Sequence, residues 1–567
     1  MRKSIIEAAR GIIPADVLFV NGRVLNVFTG EVMETSVAVK DGVIAGFGEY
    51  TEASEVVDLK GRYLLPGFID AHIHIESTML TPEGFAEVAV THGTTTTVSD
   101  PHEVVNVKGM SGYMYMVESS RGLPVDIRYT VPSCVPATDM ETSGASFGVA
   151  DIKAAFDYNP LAPALSEMMN YPGVVNADPD TLAKLYAAER AGKLMDGHCP
   201  TLTSRDLNAY AAAGISSEHE CTTAAEALEK AGKGFMVFVR EGSTEKNLEA
   251  IIPAINPVNA GRFCLVNDDR HAADLVSEGG MDAILRKAVS LGLDPVTAVR
   301  MATVNPAAHY GFRGKGAIAP GYRADIAVVE DLASFKVCTV YKDGVLAARD
   351  GACLAQVERH GADEMRESVV IPSGLSERLS PGEIPPDARV RVIEVIPDQI
   401  ITRKLVVGAH ETGPEHDVLH AAVIERHKGT GNVGVGFVKG FGLKSGAIAS
   451  TVAHDSHNLV VVGVDVSDMV IAAKRLAELG GGMAVVSGGR VLAELALPVA
   501  GLMSDRPPAE VAEKYIGLDR AAAGLGCTLE SPFMTMSFIA LPVIPELKLT
   551  DLGLVDVVEF RLVGLWD

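Results

Sequence analysis

A chain of 567 residues exceeds what one ordinary core covers, so two or three domains are expected. Hydrophobic residues at 47% and charged residues at 22% describe a soluble folded chain and exclude a disordered one. The formal net charge of −24 speaks against nucleic acid as a partner, because phosphate binding needs a basic surface.

The N-terminal stretch MRKSIIEAARGIIPADVLFV interrupts its apolar positions with Glu7, Arg10 and Asp16, so it does not read as a signal peptide. No apolar run approaches the roughly 18 residues of a membrane-spanning helix, and no membrane partner is expected. Seven cysteines, an odd number without a CxxC pair, fit a reducing cytoplasm and argue against a disulfide framework or a cysteine-based zinc site.

Residues 16–62 read as short strands, ADVLFVNGRVLNV, SVAVKDGVIAGFG and EVVDLKGRYLLPG, with hairpin signals at Asn21-Gly22 and Asp41-Gly42. The same texture returns at 316–351, which implies one small β-sandwich-like domain composed of 1–62 and 312–372. Between them, 63–311 alternates short apolar strands with helical patterns such as SRDLNAYAAAG and TTAAEALEKAG. Eight strand candidates end near His74, Asp100, Ala137, Glu167, His198, His219, Arg240 and Asp268, which predicts an α/β fold built on a (β/α)₈ TIM barrel. The run SGLSERLSPGEIPPDAR (373–389) reads as a linker, and 390–567 reads as a C-terminal α+β domain.

The segment PGFIDAHIHIEST carries the first chemical signal. In a strand, residues two apart share a face, so His72 and His74 can hold one ion together through neutral imidazoles. An HxH pair alone is weak, since two histidines on a strand also serve as packing. Four further apolar runs stop on competent ligands: PALSEMM at Glu167, LMDGHCP at His198, ISSEHE at His219 and FCLVNDD at Asp268. Strand C-terminal ends are where a barrel builds its active site. The chemistry wants such a set. A carboxylate with two oxygens bridges two divalent ions, a shared water loses its proton near neutral pH, and a further carboxylate carries that proton.

The chain resembles the amidohydrolase superfamily through PGFIDAHIH, the strand-end ligands and TVNPAAHYGFRGKGAIAPGYRADIAVV. It resembles the bacterial adenine deaminases more closely, through SDPHEVVNV, SEMMNYPGVV, DGHCP, SSEHECTT and STVAHDSHN. That resemblance implies hydrolysis of adenine to hypoxanthine and ammonia. It implies His72, His74 and Asp268 on one metal, His198 and His219 on the other, and Glu167 bridging, with Mn or Fe as the working ions and Zn also possible. Glu167, His219 and Asp268 form the implied catalytic set, a metal-bound hydroxide attacking C6 while Asp268 passes the water proton to the leaving amino group. No lysine lies near Glu167, which disfavours the branch that bridges its metals with a carboxylated lysine. The competing readings are an amidohydrolase for another amino-heterocycle or cyclic amide, and a non-catalytic binding barrel. A homodimer is the expected assembly.

Other positions stay open. Asp100, His102 and Glu103 follow the strand TTTTVS and could ligate metal, protonate the purine or position ligands, or could form a solvated turn. Glu220 neighbours His219 and Asp269 neighbours Asp268, and strand alternation predicts that only one of each pair faces the metals. Just past a strand this rule relaxes, and Asp269, Arg270 or His271 could touch substrate. His454, Asp455 and His457 in STVAHDSHN could complete the pocket, bind a further ion or form a turn.

Overall fold

The computed structural model describes residues 2–397 and 399–567. Eight strands follow one another through the central unit: Phe68–Ile73, Thr94–Ser99, Asp126–Tyr129, Ala164–Met168, Leu194–Gly197, Ser217–Glu218, Met236–Arg240 and Phe263–Val266. Their ladder pairings are parallel. Parallel bridges at Val131–Leu165 and Ile73–Asp268 join the third strand to the fourth and the eighth back to the first. The fifth and sixth strands meet where Ser216 N–H donates to Met195 O at 2.9 Å. Ala71, Val98, Ala164, Phe238, Cys264 and Val266 pack together inside this ring. Helices such as Ala224–Gly232 and Met281–Ser290 bury Ala227, Ile284, Leu285 and Ala288 against its outer face. Strands covered on both faces explain the continuous apolar runs of the sequence.

The third strand, expected to end near Ala137, ends at Tyr129. Pro132 and Pro136 have no N–H to give a ladder. The chain instead leaves the ring toward the C-terminal unit, where Thr142 N–H donates to Asp551 Oδ1 at 2.8 Å and Thr142 O accepts from Asn458 Nδ2 at 2.8 Å.

Tyr63–Pro66, placed by sequence in the central block, pairs with Arg23–Leu25 and Ile326–Val329 in a seven-stranded sheet drawn from both flanking segments. A Cβ at Gly67 would lie 2.3 Å from Thr95 Oγ1, so glycine is required where the chain passes from this sheet into the central ring. A four-stranded sheet from residues 15–58 packs on it through Phe19, Val37, Leu64, Val328 and Tyr341.

The C-terminal unit, expected to be α+β, is β-rich. Its eight-stranded sheet is antiparallel except where Arg389–Val395 runs parallel to Val433–Lys439. Helices Val466–Leu479, Pro508–Gly524 and Pro532–Phe538 accompany it. The expected linker contains the short helix Leu375–Arg378, whose Leu375 and the following Leu379 are buried in the cluster beside the helix 466–479. Helix Pro508–Gly524 packs on Ala272–Ser277, and Ser504 N–H donates to Met79 O at 2.8 Å, which seats this unit over the ends of the central strands. Among the described residues no helix is long and apolar enough to cross a membrane.

Candidate metal centre

His72, His74, Glu167, His198, His219 and Asp268 are all buried and converge where the central strands end. His74 Nδ1 lies 3.2 Å from the Asp100 carbonyl oxygen, an acceptor, so the ring proton sits on Nδ1. The Nε2 lone pair is thereby turned toward Glu167 Oε1 at 3.5 Å and Asp268 Oδ1 at 3.4 Å. His72 Nε2 lies 3.2 Å from the same Asp268 oxygen and has no hydrogen-bond partner. Lone pairs and carboxylates facing each other in a buried space need a cation between them. The donor set fits a divalent ion.

Glu167 divides its two oxygens. Oε1 faces His74 and His102 at 3.5 and 3.4 Å, whereas Oε2 faces His198 Nδ1 at 2.9 Å and His219 Nε2 at 3.0 Å. Glu220 Oε1 lies 3.4 Å from His219 and 3.7 Å from His198, so it joins those two imidazoles as a third possible ligand.

Arg240, at the end of the seventh strand, binds two of these carboxylates. Nη1 donates to Asp268 Oδ2 at 3.0 Å, and both terminal nitrogens engage Glu220. Burial would raise the Asp268 pKa, but His72, His74 and Arg240 hold it well below the carboxylate range. Asp70 anchors the neighbouring chain by accepting from Asn267 Nδ2 at 2.7 Å, and burial pushes its own carboxyl up to about 7.

His219–Glu220 and Asp268–Asp269 depart from the alternation rule, since both members of each pair line the cavity. The sixth strand ends at Glu218 and the eighth at Val266, and Asp268 adopts φ 59°, so neither pair is held to extended geometry.

Asp100, His102 and Glu103 are buried, not a solvated turn. Asp100 Oδ2 accepts from His102 Nδ1 at 3.0 Å, and His102 Nε2 lies 3.7 Å from Asp455 Oδ1. Burial disfavours a charged His102, but Asp100 and Asp455 outweigh it and hold the pKa well above its usual value. Glu103 Oε1 accepts from Ser77 Oγ at 2.9 Å, and that hydroxyl also lies 2.5 Å from Asp269. His457 Nδ1 accepts from Ala453 N–H at 3.0 Å, which puts the ring proton on Nε2, 3.7 Å from Glu103 Oε2. With no ring lone pair free, His457 is not set up to ligate an ion; it faces Glu103 Oε2 beyond hydrogen-bond distance. His454 stacks on Phe538 at 4.9 Å and 12°. His271 lies against Tyr515 at 4.6 Å, away from the cavity lining, and burial pushes it down to about 4.

Sequence reasoning missed part of the lining. Arg240 and Glu245 are polar members, Glu245 pushed up to about 8 by burial and by Asp269. Ile400, Phe538, Leu541 and Ile544 come from the C-terminal unit. Arg240 had a legible signal, a cation at a strand end. The four apolar residues had none, because ordinary core positions look the same.

A model of the amidohydrolase family matches residues 63–347, and one of the adenine deaminase C-terminal domain matches 398–561. An adenine deaminase of Desulfatibacillum aliphaticivorans is 46% identical over 570 residues, covering 99% of each chain. An adenine deaminase 2 of Carboxydothermus hydrogenoformans is 48% identical over 569 residues, again covering 99% of each. A solved N-acetyl-D-glucosamine-6-phosphate deacetylase from Mycobacterium smegmatis superposes with a TM-score of 0.46 at 20% identity, covering 59% of this chain and 100% of that one.

Proposed function

The chain belongs to the adenine deaminase family of amidohydrolases, and from that membership we propose that it converts adenine and water to hypoxanthine and ammonia. It is a hydrolase of C–N bonds. The observation that carries the reading to this chain's own residues is Glu167, whose two oxygens serve separate imidazole sets in one buried cavity.

We assign His72, His74 and Asp268 to one divalent ion, His198 and His219 to a second, and Glu167 to both. Mn or Fe suits the mixed imidazole and carboxylate set, and Zn is also competent. Such ions, when bound, supply a water that deprotonates near neutral pH. Asp268, fixed through Oδ2 by Arg240, takes that water's proton and hands it to the exocyclic nitrogen. The water oxygen ends on C6, the nitrogen leaves as ammonia, and the ring remains as hypoxanthine. During attack a ring nitrogen gains electron density and a proton, which His102, lining the cavity with its pKa raised against burial by Asp100 and Asp455, supplies. As ammonia leaves, the C6 hydroxyl gives up its remaining proton and His102 recovers the one it gave.

The ring of eight parallel strands reads as a (β/α)₈ barrel running from Phe68 to residue 311, with the flanking segments, Tyr63–Pro66 included, as the composite β-domain and 390–567 as the third domain. A homodimer in the cytoplasm remains the proposed setting, the reduced cysteines being consistent with it.

Product analysis tests the substrate. Purified protein reloaded with Mn²⁺ is expected to release ammonia and hypoxanthine in equal amounts from adenine. Release from cytosine or guanine but not adenine would overturn the assignment.

A further inference from the structure

The cavity is lined by Met169 and ionisable side chains of the central unit, and the C-terminal unit adds His454, Asp455 and four apolar side chains, Ile400, Phe538, Leu541 and Ile544. The apolar four sit on two segments far apart in sequence, and one side chain ties those segments together. Lys548 Nζ donates to Ile400 O at 2.9 Å and to Phe538 O at 2.8 Å. Lys548 is 0% exposed. Among the described residues no carboxylate pairs with it, and burial alone pushes its ammonium down to about 7. An ammonium buried without an anion costs stability, and two carbonyl acceptors repay only part of that cost. Ordinary core packing would be served better by an apolar chain of similar length.

A flat heterocycle needs apolar walls for its faces and a few fixed polar groups for its edge. The ionisable residues supply the edge. Phe538 also stacks on His454, so its backbone position sets a second ring near the site.

We infer that Lys548 is a positioning residue for substrate binding: its ammonium fixes the Ile400 and Phe538 backbones so that the C-terminal unit presents an apolar wall to the purine face. This rests on the adenine reading above.

The test is Lys548→Met in the full-length, metal-loaded enzyme. Metal content, melting temperature, kcat and KM for adenine, and the inhibition constant of hypoxanthine are measured together. The inference expects KM and the inhibition constant to rise in parallel by about tenfold. Metal content holds, kcat stays within about threefold, and the melting temperature is unchanged or higher. A lower melting temperature with both binding constants unmoved would mark Lys548 as purely structural and overturn the inference. Should that variant not fold, Leu541→Ala probes the wall itself, and unchanged binding constants there overturn the inference equally. A wild-type enzyme inert toward adenine would remove the underlying reading and this inference with it. Normal wild-type turnover with unmoved variants removes this inference alone.

Discussion

Arg240 and Asp268 meet with Nη1 and Oδ2 3.0 Å apart, while Arg240 Nη2 holds Glu220 Oε2 at 3.0 Å, so one guanidinium sets the spacing of two carboxylates beside the imidazole cluster. A lysine there offers a point charge that cannot reproduce the fork. Arg240→Lys is therefore expected to lower kcat/KM by about 100-fold, the scale of a misplaced catalytic group. Arg240→Met leaves Glu220 buried and unpaired, and urea unfolding is expected to show a loss of about 3–5 kcal/mol. Near-normal kinetics in Arg240→Lys would show that the spacing is not critical.

Glu167→Gln replaces one ligand oxygen by an amide nitrogen that carries no available lone pair. Elemental analysis after reloading is expected to find the paired centre lost. Two ions bound as in the parent would place the bridge on another residue, Glu220 being the next carboxylate at the His198 and His219 side.

Asp268→Asn keeps an oxygen toward His72 and His74 but cannot hold a transferred proton. Much of the metal is expected to remain, with kcat reduced by about 10²–10⁴-fold, the range of general acid–base catalysis. Activity close to the parent's would dismiss the proton-carrying role.

A buried ion pair outside the cavity gives a stability prediction with a definite sign. Lys230 Nζ and Glu218 Oε2 are 2.9 Å apart, with both side chains fully buried. Burial would raise Glu218, but Lys230 outweighs it and holds the carboxyl at about 2. An unfolded glutamate titrates at about 4.3. The pair's stabilisation is therefore present above pH ~4.3 and is lost as pH falls toward the folded value. In Lys230→Met the stranded Glu218 must either stay charged in the core or take up a proton at neutral pH, and both cost stability, so the deficit against the parent is largest near pH 7 and shrinks in acid. A deficit independent of pH in denaturant titrations would contradict this.

The sequence made the strand-end residues legible because each is a polar ligand type that stops an apolar run, and the structure brings His72, His74, Glu167, His198, His219 and Asp268 into one buried cluster. Local pattern was a poorer guide wherever long-range contacts decide. Asp126–Tyr129 stops early because the following prolines cannot ladder and the chain is drawn to Asp551. Tyr63–Pro66 is an apolar strand like its successor, and only its partners reveal which sheet it joins. Strand alternation misjudged Glu220 and Asp269 because both lie beyond the last paired residue. Phe538 and Lys548 carry no motif at all. Their relation to the cavity exists only after the C-terminal unit has docked.

The most direct measurement of the central claim is adenine turnover by metal-stripped protein titrated with Mn²⁺. The account predicts no activity without metal and a rise that breaks at about two equivalents per chain, as a carboxylate-bridged pair requires. Full activity at about one equivalent, or turnover in the stripped protein, would contradict the paired centre.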